Sequence, residues 1–124
     1  MGHLVKVHGG SMYSNWANAA MALHRLDGFE ERLQSAVRRS AEIFASLNKI
    51  PGIRVSALSG GTNIYTLELA KEIDGRKLQE KLNKEFNVRM PRPNDKGQGQ
   101  LMVNETLLYQ SADYVIDAFR KSIR

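Results

Sequence analysis

The chain has 124 residues and no cysteine, so it is expected to fold around a core of its own, and disulfides and thiolate-bound metals are excluded. Its hydrophobic share of 42% and charged share of 25% are those of a soluble globular protein, with a cytoplasmic location expected, and no apolar run approaches the ~20 residues of a membrane span. The formal charge of +5 is spread over Arg25, Arg32, Arg38, Arg39 and then Arg76, Lys77, Lys81 and Lys84 at helical spacings beside acids, the pattern of solvated faces; neither nucleic acid nor a membrane is an expected partner.

Residues 5–13, VKVHGGSMY, read as an extended entry broken by a turn at Gly9-Gly10. Ser14 or Asn15 can cap a helix whose apolar face is Trp16, Ala19, Ala20, Leu23 and Leu26. Asp27-Gly28 interrupts it, and a longer helix runs from about Phe29 to Leu47, with Phe29, Leu33, Ala36, Val37, Ser40, Phe44 and Leu47 as its stripe. Asn48, Lys49 and Pro51-Gly52 end that helix.

Ile53 to Ala57 is a short strand, Ser59-Gly60-Gly61 a turn, and Asn63 to Leu69 a strand with Tyr65, Leu67 and Leu69 on one face. Asp74 caps a third helix over Gly75–Phe86, with Leu78, Leu82 and Phe86 as its seam. Val88 to Met90 is strand-like, Pro91 to Gly99 a polar loop, and Gln100 to Asn104 another strand. Ser111 caps a last helix whose apolar face is Tyr114, Val115, Ala118, Phe119 and Ile123. The order predicts an α+β fold. A short, mostly antiparallel sheet of about four strands is covered by helices on one face, after a helix and a long helix.

No self-contained active site follows from the residues. His3, His8 and His24 lack metal-ligand spacing, no serine sits in a GxSxG elbow, and Gly9-Gly10 and Gly60-Gly61 lack the rest of a phosphate loop. No catalytic residue and no metal site are assigned. The remaining polar candidates are His8-Gly9-Gly10 before a helix start, Arg89 and Arg92 around the polar loop, and Asn63 and Asn104 at strand ends.

Residues 8–16, HGGSMYSNW, followed by an alanine-rich helix to Gly28-Phe29, resemble the segment after the coenzyme lysine in the threonine aldolase and β-eliminating lyase family. Residues 48–55, NKIPGIRV, resemble the same family's long-helix end and first small-domain strand. Residues 61–63, GTN, resemble the start of that domain's next strand, and residues 88–90, VRM, and 101–104, LMVN, its last two strands before the terminal helix. The resemblance implies the C-terminal small domain of a fold-type-I enzyme that uses pyridoxal phosphate (PLP). Residues 1–28 would be the linker and connecting helix from a large domain, and 29–124 the small domain.

It further implies cleavage of a β-hydroxy-α-amino acid such as threonine or allo-threonine to glycine and an aldehyde, in a dimer or tetramer. The coenzyme lysine would lie upstream of Gly9, and Lys6 is too near the turn to match it. No covalently bound PLP, and no activity, is therefore expected of this chain alone. Gln100 stands where threonine aldolases carry an arginine for the substrate carboxylate, and Arg89 or Arg92 are the nearby replacements. His8, Gly9, Gly10, Arg89, Arg92 and Gln100 are thus the pocket candidates. The alternatives are the small domain of another PLP enzyme, an aminotransferase or a β-eliminating lyase, and a stand-alone α+β binding module.

Overall fold

The computed structural model describes residues 15–124. They belong to two units, one ending at Glu31 and the other running from Arg32 to Arg124.

The described part of the first unit is dominated by α1, Trp16–Leu26. Asn15 occupies the N-cap position, but its side chain makes no capping bond; Ser14, the other candidate cap, lies outside the described residues. Helix α1 buries none of its residues. Trp16 is 75% exposed, Leu23 69% and Leu26 65%, so the expected apolar face is left exposed, and Met21, outside that face, is exposed as well. Gly28, at φ 65°, turns the chain into α2, Phe29–Leu47.

The second unit takes up α2 at Arg32 and continues through β1 (Ile53–Ala57), β2 (Ile64–Leu69), α3 (Gly75–Phe86), β3 (Gln98–Met102), a 3-10 turn (Glu105–Tyr109) and α4 (Ala112–Ile123). The buried face of α2 is Ala36, Ser40, Ile43 and Leu47, whereas Leu33 and Val37 of the expected stripe are exposed. Asp74 caps α3 by accepting the amides of Arg76 and Lys77, and Ser111 caps α4 by accepting that of Tyr114, as the sequence predicts.

The sheet has three strands in the order β1-β2-β3, both pairs antiparallel. Ile53 faces Leu69 and Val55 faces Leu67, and these four side chains are buried. They join Ile43 and Leu47 of α2, Leu78 and Leu82 of α3, and Val115, Ile116 and Phe119 of α4 in one core. Period-two alternation sends Arg54, Glu68, Gln98 and Gln100 to the other face, where they are exposed. Helices therefore cover one face of the sheet and leave the other polar and open.

The fourth expected strand, Val88–Met90, is not in the ladder. Asn87, at φ 53°, ends α3 in the left-handed conformation, and the Val88 N–H turns back to the Leu82 carbonyl at 2.9 Å. The Met90 carbonyl accepts from Gln79 Nε2 at 3.2 Å, and the Met90 side chain enters the core. Backbone groups that a strand would direct to a neighbour are thus used on α3. The apolar alternation at Val88 and Met90 reflects burial, not pairing.

Strand β3 also begins earlier than expected, at Gln98, because Asn94 closes the preceding loop. Its N–H donates to the Gln98 carbonyl at 2.7 Å, and its Oδ1 accepts from the amides of Lys96 and Gln98.

Candidate functional site

Two clefts in the second unit are lined by the arginines that the sequence singles out. The larger, about 880 Å³, lies where residues 69–76 meet residues 92–97. Gly75 opens α3 here because a side chain would meet Pro93: a Cβ would stand 3.0 Å from the Pro93 ring. Arg92 lines this cleft with Lys71, Arg76 and Lys96, among Glu72, Asp74 and Asp95. The Asp74 carboxylate is engaged by the first amides of α3, and Arg76 Nε pairs with Glu80 at 3.3 Å. Cations and anions are interleaved here, so no single sign of charge rules the cleft.

The smaller cleft, about 450 Å³, is lined by Arg89 and Val88 after α3, by Met102 and Asn104 at the end of β3, and by Tyr109 and Val115. Val115 is buried, whereas Met102 is 64% and Tyr109 78% exposed, so an apolar floor leads to an open mouth. Among the described residues, Arg89 is the one charged side chain in the lining. Asn104 is engaged locally: its Oδ1 caps the 3-10 turn by accepting the Thr106 amide at 2.9 Å.

The candidates do not converge. Arg89 and Arg92 line different clefts, and Gln100 lies on the open face of the sheet opposite Thr66, in neither lining. His8, Gly9 and Gly10 lie outside the described residues. Asn63, noted as a strand-start residue, serves the fold itself. Its Nδ2 donates to the Val103 carbonyl at 3.0 Å and ties the start of β2 to the end of β3.

The same geometry bears on a coenzyme seat. A lysine that forms a Schiff base works from a desolvated pocket or beside another cation, which lowers its proton affinity. Lys71 and Lys96 line the larger cleft, but both are exposed. Among the described residues, no three His, Asp or Glu side chains come together to hold a metal ion. No described helix is long and apolar enough to cross a membrane.

No family model, curated protein or solved structure matches the chain.

Proposed function

We propose that the chain is the C-terminal small domain of a PLP-dependent lyase or aldolase of the threonine aldolase and β-eliminating lyase family. The complete enzyme would cleave a β-hydroxy-α-amino acid, threonine or allo-threonine in kind, to glycine and an aldehyde in the cytoplasm. The residue patterns around Gly9-Gly10, Ile53 and Asn104 support this reading, and so does the order of elements, with a helix and a long helix before a small antiparallel sheet covered on one face.

The observation that carries the reading is α1. It is an 11-residue helix with Trp16, Met21, Leu23 and Leu26 exposed and no buried residue. A helix of that length is marginal in water, and most helical stability comes from packing an apolar face. A connecting helix between a small domain and its own large domain would have this composition. The large domain would carry the coenzyme and its lysine, and in a dimer or tetramer a second copy would bury more of the same surface. A second reading keeps the fold and changes the reaction: Gln100 cannot form the bidentate charged pair that arginine gives a carboxylate, which favours another PLP enzyme such as an aminotransferase or a β-eliminating lyase.

The coding sequence upstream of residue 1 tests the reading. The expected result is a continuous frame of roughly 200 residues, the size of a large domain, with a lysine a few tens of residues before Gly9. The longer protein should absorb in the Schiff-base band and release glycine from allo-threonine. A stop codon directly upstream, or a longer protein that binds no PLP, overturns it.

A further inference from the structure

The hydrogen bonds at the two ends of the β2–β3 pair fix which backbone groups of β3 are free. The Leu69 N–H donates to the Gly97 carbonyl at 2.8 Å, and the Val103 N–H donates to the Asn63 carbonyl at 2.8 Å. In the observed register the odd-numbered residues of β3 therefore turn their N–H and C=O toward β2, and Gln98, Gln100 and Met102 turn theirs away. Gln98 is closed off, since Asn94 bonds both its carbonyl and its amide. Gln100 and Met102 have no backbone partner on that side among the described residues, and both are exposed.

The Arg89 cleft adjoins this open stretch, with Met102 in its lining. An unpaired strand edge is a template for an added strand, whose main-chain bonds give affinity while alternate side chains give specificity. The apolar surface of Met102, Tyr109 and Val115 suits an apolar side chain. Among the described residues Arg89 supplies the only charge of the cleft and forms no ion pair, so the complementary group is a carboxylate.

We propose that the Gln100–Met102 edge and the Arg89 cleft form a docking site for an extended peptide bearing an acidic side chain, added to the sheet beside β3. The docking site does not rest on the function proposed above.

The test is a ¹H–¹⁵N NMR titration of the 124-residue chain with acetyl-Val-Glu-Val-Glu-Val-amide and with its glutamine analogue. The expected result is saturable movement of the Gln100 and Met102 amides, slowed exchange of both, and weakening of about tenfold on replacing glutamate by glutamine in the peptide. Arg89→Gln, at an exposed position, should weaken the acidic peptide by a similar factor and leave the glutamine peptide unchanged. Equal binding of both peptides, equal binding by Arg89→Gln, or movement confined to Trp16–Leu26 while the β3 amides stay still, would each overturn the proposal.

Discussion

The side-chain amide of Asn48 holds Val55 by both of its backbone groups. Nδ2 donates to the Val55 carbonyl at 3.0 Å, and the Val55 N–H donates to Oδ1 at 2.7 Å. Val55 lies at the outer side of β1, whose other side is paired with β2. One carboxamide thus does there what a neighbouring strand would do, and it fastens the end of α2 to the sheet edge. Asn48→Ala leaves a donor and an acceptor of a nearly buried residue unpaired, at about 1–3 kcal/mol per group when burial is complete. The expected loss is about 2 kcal/mol, because the edge admits some water. Urea unfolding should show a lower midpoint with an unchanged slope. Asn48→Asp keeps the acceptor and loses the donor, so it should destabilise as well.

Gly97 and Gly60 make a matched pair. Both have positive φ, 74° and 102°, where an L side chain is strained by roughly 1–2 kcal/mol. At Gly97 an added Cβ would also stand 2.8 Å from the Leu69 carbonyl oxygen, a backbone atom that cannot swing aside. At Gly60 it would meet nothing within 4 Å. Gly60→Ala should therefore cost about 1 kcal/mol and Gly97→Ala distinctly more, about 3 kcal/mol, with the turn at Asn94 disturbed as well. Thermal melts of the two variants check this, and equal shifts would contradict the contact.

Local signals were the ones legible in the chain. The span of α2, the strand Ile53–Ala57 and the caps Asp74 and Ser111 depend on residues within a few positions of each other, and the structure agrees with each; the second strand, expected from Asn63 to Leu69, is found one residue shorter, from Ile64. Ile43 and Ile116 fall outside the expected stripes because a buried helix face is wider than a narrow seam; both are in the core. The 3-10 turn Glu105–Tyr109 has no periodicity to reveal it; Asn104 starts it by capping, not by continuing a strand. The candidate arginines were identifiable as loop cations. Their separation into two clefts was not, since it depends on how the chain from Arg89 to Pro93 packs Met90 inward and seats Pro93 against Gly75.

Arg39 reaches across the second unit from α2. Its Nη1 donates to the Leu108 carbonyl at 3.1 Å and to the Gln110 carbonyl at 2.8 Å, on either side of the end of the 3-10 turn. Seven residues earlier Arg32 Nε pairs with Glu105 at 3.2 Å, at the start of that turn. The ion pair is about one-third exposed and contributes little, whereas the carbonyl bonds tie down backbone that has few helical bonds of its own. Arg39→Ala should cost about 1–2 kcal/mol. Amide exchange should accelerate at residues 106–110 more than in α3 or β2, because the loss is local. Arg39→Lys, with a single ammonium in place of the guanidinium, should recover only part of the protection.

Two of the described serines are buried, and their hydroxyls differ. Ser40 Oγ donates to the Val37 carbonyl one turn back at 2.7 Å. Ser122 Oγ, near the end of α4, has no hydrogen-bond partner among the described residues. A buried hydroxyl without a partner carries a desolvation cost that nothing offsets. Ser122→Ala removes that cost, leaves only a small cavity, and favours the helix by a few tenths of a kcal/mol. The expected gain is up to about 1 kcal/mol. Ser40→Ala loses a bond along with the hydroxyl, so the two terms nearly cancel and the change should fall close to zero. Urea midpoints of the two variants decide the matter. A Ser122→Ala variant less stable than the parent would mean that the hydroxyl does bond in solution, and the distinction between the two serines would be lost.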